Sequence, residues 1–293
     1  MIGFFYLILL GAIWGGSFLF MRIAVPSLGP SYLIEFRVLF AALTLSLIAF
    51  VTRRAIKTSG LTQHYIILGL FNSALPFLLF AYAAQYVSAS VLSVLNSTAP
   101  FWGVIIAAIW LKHEITLRTI VGCICGLLGV AALVNLQTLP SFEALLPILA
   151  ALGATCCYGI ASNYTKIAPK VGTFDNAHGN LWASTVLVLP MLSFSPMPEM
   201  PTTNIFFAVL ALGVVCTGIA YILYFKLIEL LGAAQALTVT FLIPLFGILW
   251  GHVFLDEPIG PNTLIGALLV IMGVMLVTGV KVQQFLPWRR RMS

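Results

Sequence analysis

Apolar runs of about 18–25 residues follow one another along the whole chain, and they constrain its fold more than any other feature. That length is what an α-helix needs to cross a hydrocarbon core of about 30 Å. Only 8% of the 293 residues are charged, whereas 61% are hydrophobic. A soluble domain carries about 25% charged residues, so this chain cannot cover a water-exposed surface. The alternating hydrophobicity of a β-barrel is absent. The sequence therefore predicts an all-α membrane protein.

The positions of the apolar runs predict ten transmembrane helices, separated by short polar or basic segments. We expect boundaries to shift by a few residues at each end. The predicted spans are 2–21, 32–52, 64–86, 88–111, 118–136, 144–167, 177–194, 204–228, 232–255 and 262–281.

Lysine and arginine are distributed unevenly between the two sets of loops. If the N-terminus is cytoplasmic, the outside loops hold only Arg22, and Arg37 lies within a span. This asymmetry follows the positive-inside rule and predicts cytoplasmic N- and C-termini in a multi-pass membrane protein. The net charge of +6 then reflects topology and the lipid bilayer, so no nucleic-acid partner is required. The cations on the predicted inner side are Arg53, Arg54, Lys57, Lys112, Arg118, Lys166, Lys170, Lys226, Lys281, Arg289, Arg290 and Arg291.

The sequence also pairs with itself when it is shifted by 144 positions. Pro100 then coincides with Pro244. Matched leucines or alanines could arise by chance in apolar sequence, but a matched proline with several matched glycines at one gapless offset indicates an internal repeat. The glycine pairs are Gly15 with Gly159, Gly69 with Gly213, Gly103 with Gly247, Gly122 with Gly266, and Gly129 with Gly273.

The repeat predicts two five-helix units, residues 1–140 and 141–284, followed by a basic cytoplasmic tail, residues 285–293. Five spans per unit is an odd number, so the second unit should be inverted relative to the first. Inverted repeats recur in secondary transporters, where the substrate site lies near the midplane between the halves. Duplication retained only for stability is the alternative.

Six segments have the composition and spacing of known transporter motifs: Leu9–Phe18, Arg37–Leu43, Leu111–Thr116, Leu255–Ile259, Gly122–Val130 and Gly266–Val274. They resemble the drug/metabolite transporter superfamily, EamA-type branch, and the resemblance covers nearly the whole chain. It implies ten helices as two inverted repeats around a central cavity, and the export of small metabolites. The length and aromatic content resemble the bacterial aromatic amino-acid exporters, which implies the bacterial inner membrane.

Polar residues within the spans are candidates for the substrate site, because a polar group in hydrocarbon must find a partner or line water. Pro100 and Pro244 cannot donate to the residue four positions earlier, so we expect free carbonyls at Asn96 and Thr240 near the midplane. Asn72 with Pro76 repeats this arrangement in the third span. Close packing of helices is the alternative role for these small and polar residues.

Aromatic residues deep in the spans could stack on an aromatic or apolar substrate. Arg37 could bind a substrate carboxylate, or it could form an ion pair with Glu35. His178 has a structural or gating role in our interpretation, together with Arg37, Pro76, Pro100 and Pro244. The candidate substrate-binding residues are Trp14, Ser17, Asn72, Tyr82, Asn96, Trp102, Tyr158, Trp182, Tyr221, Tyr224 and Thr240.

These features favour a secondary transporter that exports amino acids, aromatic or apolar, by alternating access. Export of another small metabolite or drug, such as a cationic toxicant or a nucleotide-type solute, is the alternative. ATP-driven transport is disfavoured because no phosphate-binding loop of the Walker type occurs, and metalloprotease activity because no HExxH motif occurs. We therefore expect no enzymatic activity, no cofactor and no metal. No sequence feature indicates an oligomeric state.

Overall fold

The computed structural model describes residues 2–56, 59–112, 114–134, 142–195, 197–232, 236 and 238–279, and the predicted basic tail lies outside them. Within these ranges the chain is helical and contains no strand. The helices are α1 (Ile2–Val51), α2 (Thr62–Ala83), α3 (Ala89–Asn96), α4 (Ala99–Leu111), α5 (Leu117–Val134), α6 (Phe142–Ile167), α7 (Thr173–Val188, extended by a 3₁₀ turn over Leu189–Ser193), α8 (Thr203–Leu231), α9 (Val239–Leu255) and α10 (Pro261–Thr278).

Helix α1 contains both the first and the second predicted spans. The connection between the two spans is shorter than the expected loop, because two helices meet at a kink at Gly29. Gly29 has φ 67° and ψ 166°, a non-helical conformation that glycine adopts without the steric cost other residues incur. Pro26 and Pro30 flank the kink and remove backbone donors on either side of it. The turn between the first two spans is therefore made at one non-helical residue.

Six of the described helical segments are long and apolar enough to cross a membrane by length and composition. One of the six is α1, whose 50 residues hold two predicted spans. Two shorter apolar segments, Leu117–Leu133 and Val239–Leu255, coincide with the fifth and ninth predicted spans. The all-helical membrane architecture is confirmed, whereas the count of ten crossings stays a prediction.

The fourth predicted span is two helices rather than one. Helix α3 ends at Asn96, and α4 begins at Ala99, directly after the turn at Ser97 and Thr98. Pro100 occupies the first turn of α4, where a backbone N–H has no partner within the helix and its absence costs little. Pro244, by contrast, lies inside the continuous helix α9. The matched prolines therefore have different local structures in the two halves.

Helices α5 and α10, which are equivalent by the offset of 144, pack antiparallel along a seam of glycines. A methyl group on Gly122 would lie 2.8 Å from the carbonyl oxygen of Gly273, and one on Gly129 would lie 2.8 Å from that of Gly266. Small residues at membrane helix interfaces allow this close backbone approach. Gly122 contacts Gly273, and Gly129 contacts Gly266. The offset of 144 relates position 122 to 266 and position 129 to 273, so the two contacts are equivalent to each other. Equivalent helices that run antiparallel to each other are the arrangement expected of an inverted repeat.

A second set of equivalent contacts forms where the first helix of each half meets the fourth helix of the other half. A methyl group on Gly15 would clash with Phe246 and Gly247 of α9. Gly159 of α6 meets Trp102 and Gly103 of α4, which are the positions 144 residues away. The two halves therefore interlock and do not stand side by side.

A carboxylate joins the two halves at the end of α9. Both oxygens of Glu257 receive hydrogen bonds from the start of α3. Oε1 accepts from the Ala89 N–H at 2.7 Å, and Oε2 accepts from the Ser90 N–H at 2.9 Å and its hydroxyl at 2.5 Å. A negative charge at this position satisfies the unpaired donors of a helix N-terminus and complements its dipole. We call this arrangement the Glu257 latch.

Candidate functional site

Two wide helical turns mark equivalent positions in the two halves. The segments Gly69–Ala74 in α2 and Ala211–Ile219 in α8 have π-helical hydrogen bonding. Such segments are rare in helices and frequently occur at functional sites, because the extra residue turns side chains toward new directions. Pro76 closely follows the first wide turn, whereas Ala220, its equivalent, directly follows the second. The widening therefore does not depend on a proline.

Each wide turn presents a buried hydroxyl to a helix from the other half of the chain. Ser73 and Thr217, 144 residues apart, carry these hydroxyls. The Ser73 hydroxyl lies 3.3 Å from Asn180 Oδ1 and 3.0 Å from Asn180 Nδ2 in α7. Thr217 Oγ1 accepts from the Nε–H of Arg37 in α1 at 3.1 Å. These two contacts are approximate counterparts and place a polar group between the halves on each side.

Arg37 is buried, with 6% of its surface exposed. Its guanidinium carbon lies 3.6 Å from the centroid of the Phe77 ring, a cation–π contact. Among the described residues no carboxylate forms an ion pair with it, so the pairing with Glu35 considered from sequence does not occur. The hydrogen bond to Thr217 uses Nε, and no described residue accepts from the two terminal amino groups. A buried cation held by neutral partners is not neutralised, so its charge could be balanced by an anionic ligand.

Amide and phenol groups continue from Arg37 along the same layer. Asn72, in the first wide turn, donates from Nδ2 to the Tyr221 hydroxyl at 3.0 Å. Tyr158 and Tyr221 are both within electrostatic reach of the guanidinium. We define the central polar cluster as Arg37, Asn72, Ser73, Tyr158, Asn180, Thr217 and Tyr221.

Aromatic rings pack against two tyrosines of this cluster, and a third aromatic pair includes Tyr224, one turn after Tyr221 on α8. Trp14 packs against Tyr224 at 5.4 Å between ring centroids, with an angle of 45°. Tyr158 is stacked with Phe80 at 6.3 Å. Tyr221 is stacked with Phe225 at 6.1 Å. Rings in these orientations form an apolar wall with hydroxyl groups at its edge, suited to a substrate that is part apolar and part polar.

Several sequence-predicted residues meet where α3 and α9 cross. The expectation of a free carbonyl at Thr240 is wrong, because the Ser97 hydroxyl reaches it at 3.2 Å. Asn96 ends α3 at the break before Pro100. Pro244 is buried in α9. The crossing therefore uses these polar groups to join the halves.

The other predicted residues lie apart from the central polar cluster or make local contacts. Ser17 is buried and donates to the Trp14 carbonyl at 2.8 Å. Tyr82 packs against the exposed Tyr86 near the end of α2. Trp102 flanks Gly159 in the interlocking contact described above. Trp182 donates from Nε1 to the Ser46 hydroxyl at 3.0 Å, and His178 Nε2 lies 3.0 Å from the same oxygen.

Comparison with known proteins agrees with this architecture. The family model described as the EamA-like transporter family matches residues 1–135 and again residues 145–279. The chain belongs to the EamA-like transporter family.

Relatives of this EamA-like protein span nearly its full length. Uncharacterized transporter YoaV of Bacillus subtilis is 26% identical over 275 residues, covering 91% of this chain and 93% of the relative. An uncharacterized transporter of Archaeoglobus fulgidus is 25% identical over 265 residues, covering 90% and 94%. A crystal structure matches with a TM-score of 0.67 at 18% identity and covers 94% of both chains, which shows a shared fold. Together with the apolar helices, family membership identifies a multi-pass membrane protein of a transporter family and is consistent with the expected absence of enzymatic activity.

Six residues of this EamA-like protein that contribute to the site were not predicted from sequence. They are Ser73, Phe77, Phe80, Asn180, Thr217 and Phe225. The repeat offset could have indicated Ser73 and Thr217, since both positions carry a hydroxyl 144 residues apart. Asn180 is a polar residue within a predicted span. No sequence signal distinguishes Phe77 from the many other apolar residues of α2.

Proposed function

We propose that this EamA-like protein is a secondary transporter that exports small zwitterionic metabolites, in the first place aromatic or apolar amino acids. In this proposal it works by alternating access in the bacterial inner membrane, with both termini cytoplasmic. The observation that carries the proposal is Arg37, the one buried arginine of the described residues, which has no carboxylate partner among them and lies beside amides, hydroxyls and aromatic rings.

The charge of the central polar cluster favours a monovalent anionic group. Arg37 is the one buried lysine or arginine among the described residues. A substrate carboxylate would neutralise it and could accept two parallel hydrogen bonds from the terminal amino groups. A phosphate dianion or a nucleotide would bring more negative charge than this one cation balances. A purely cationic solute would be repelled.

The groups around Arg37 suit the remaining parts of an amino acid. Asn72 donates through its nitrogen to Tyr221, so its carbonyl oxygen is available to accept from a substrate ammonium. The Trp14–Tyr224 pair and the Tyr158–Phe80 pair provide apolar faces for a side chain. An aromatic ring stacked there would gain about 0.5–1.5 kcal/mol beyond simple burial. A substrate with a carboxylate, an ammonium and an apolar side chain would thus find a partner for each group: the Arg37 guanidinium, the Asn72 carbonyl oxygen and the aromatic faces.

The fold supports alternating access through its approximate two-fold symmetry. Two interlocked, oppositely oriented halves can exchange equivalent contacts and so form inward-open and outward-open states of similar energy. The wide turns in α2 and α8 and the break between α3 and α4 are positions where helices can change direction without losing a long run of regular hydrogen bonds. Each of these positions adjoins the central polar cluster or the crossing of α3 and α9.

Counterflow in proteoliposomes tests the proposal. Vesicles preloaded with unlabelled phenylalanine or leucine should accumulate the labelled amino acid, whereas vesicles without protein should not. Arg37→Gln should abolish accumulation, since it removes the only buried cation of the described residues that could hold the carboxylate. Lys112→Gln, which removes an exposed cation, should leave accumulation unchanged and serves as the matched control.

Two results would contradict the substrate assignment. Accumulation of a cationic toxicant or a nucleotide-type solute, with none of any amino acid, would replace it with the alternative. Retention of full amino-acid counterflow by Arg37→Gln would show that the carboxylate is recognised elsewhere.

A further inference from the structure

A second site lies between the end of α1 and the start of α7, apart from the central polar cluster. It is an open cavity of about 530 Å³, and none of the residues of the central polar cluster lines it. Its walls combine two arginines with apolar and aromatic side chains. The lining residues that matter here are Phe50, Arg53, Arg54, Ile56 and Trp182.

The mouth of the cavity carries a net positive charge. Arg53 is exposed and makes no ion pair with a described residue. Arg54 is 48% exposed at its side chain and is held in place by two contacts, with its guanidinium carbon 4.6 Å from the Phe174 ring centroid and its Nε 3.9 Å from Asp175 Oδ1. One carboxylate at this distance does not neutralise two guanidinium groups. The mouth is therefore suited to an anion that a fork of N–H donors can grip.

An apolar path leads to this mouth along α1. Leu43, Leu47 and Phe50 are 47%, 62% and 81% exposed, and they are spaced so that they share one face of the helix. In a membrane helix, exposed side chains of this kind contact lipid tails. Helix α1 ends at Val51, and Phe50, the last residue of this stripe, lines the cavity together with Arg53 and Arg54. A ligand following the stripe would thus have an apolar tail and an anionic head.

The inner wall is polar and firmly held. Trp182 Nε1 donates to Ser46 Oγ at 3.0 Å, and the Ser46 hydroxyl donates to the Ala42 carbonyl at 2.8 Å. Tryptophan is enriched at the level of lipid headgroups, where one edge is polar and the ring is apolar. This wall fixes the width of the cavity between α1 and α7.

We propose that this cavity binds an anionic phospholipid. The phosphate sits between Arg53 and Arg54, the glycerol region lies against Trp182 and Ile56, and an acyl chain follows the stripe from Phe50 to Leu43. Basic pockets between helices at the cytoplasmic surface are a recognised way in which membrane proteins hold anionic headgroups. The predicted orientation places both arginines on that side. The inference does not depend on which solute is transported.

Binding of defined lipids to the delipidated full-length protein tests the proposal. Dioleoyl phosphatidylglycerol, dioleoyl phosphatidylcholine and inorganic phosphate are titrated separately, with bound lipid counted by native mass spectrometry and the unfolding midpoint followed in parallel. We expect phosphatidylglycerol to bind and to raise the midpoint, and the other two to have little effect. Arg53→Gln should weaken the binding about fivefold, and Arg53→Gln with Arg54→Gln about thirtyfold.

Matched variants separate this site from general surface charge. Lys112→Gln with Arg118→Gln removes two exposed cations from other helices on the same predicted side and should leave binding unchanged. Arg53 makes no contact that folding requires among the described residues, so Arg53→Gln remains informative if the double variant is unstable. Equal binding of the two lipids, or an equal loss in the control, would overturn the proposal. Equal stabilisation by phosphate alone would replace the lipid with a free anion.

Discussion

The Glu257 latch allows a stability prediction with a magnitude that follows from its geometry. Glu257→Gln keeps the length and shape of the side chain but replaces one acceptor oxygen with an NH₂ group. The carboxylate accepts three hydrogen bonds from Ala89 and Ser90 at 2.5–2.9 Å, and the amide can preserve them at only one oxygen. At least one backbone N–H of α3 therefore loses its acceptor.

The expected loss is about 2–3 kcal/mol of the free energy of unfolding. A buried donor left without an acceptor costs about 1–3 kcal/mol. Loss of the negative charge at the N-terminus of α3 adds about 0.3–1 kcal/mol. For a chain of this length, that sum corresponds to a fall of roughly 5–10 °C in the unfolding midpoint.

The assay is thermal unfolding of the purified protein in one mild detergent, followed by tryptophan fluorescence. Glu229→Gln is the matched control, because Glu229 forms an exposed ion pair with Lys226 at 2.9 Å and its side chain is 67% exposed. An exposed pair contributes about 0–1 kcal/mol, so this control should shift the midpoint by about 3 °C or less. If the two variants shift the midpoint equally, the reasoning about the latch is refuted.

Two further predictions concern the glycine seam and the support of Arg37. Gly129→Ala should destabilise the protein by about 1–3 kcal/mol, since its methyl group would lie 2.8 Å from the Gly266 carbonyl oxygen. Gly260→Ala is the control, because a methyl group there would have no neighbouring atom within 4 Å. Equal unfolding midpoints for the two variants would contradict the prediction. Thr217→Val should raise the KM for carboxylate substrates in proteoliposomes more than it lowers the maximal rate, because Arg37 Nε loses its acceptor. Thr217→Ser should retain wild-type kinetics, and a loss in both variants would count against the hydroxyl.

The membrane class and the internal repeat follow from local properties of the sequence. Helix length across a bilayer depends on consecutive apolar residues, so it can be read along the chain. The glycine pairs at the offset of 144 also have a local cause, because a repeated backbone geometry requires the same small residue twice. Gly122 and Gly129 were identified in this way, and they form the seam between α5 and α10.

The tertiary structure decided which polar residues act together. Asn72 and Tyr221 are 149 positions apart, and Arg37 and Thr217 are 180 apart, so nothing local indicates their contact. The Thr240 carbonyl was expected to be free because a proline follows four residues later, yet the hydroxyl of Ser97, in the turn after α3, satisfies it. A carbonyl oxygen without a donor in its own helix can accept a hydrogen bond from a neighbouring segment that crosses the helix at that point.

Sequence by itself thus determined that the chain is helical, membrane-embedded and duplicated, because these properties depend on composition and spacing. Only the tertiary structure decided that Arg37 has no carboxylate partner within the described part of the chain, that Glu257 caps a helix of the other half, and that Arg53 and Arg54 open onto a cavity beside α7. Those outcomes depend on how the helices cross. Crossing is decided by side-chain packing between segments far apart in the chain.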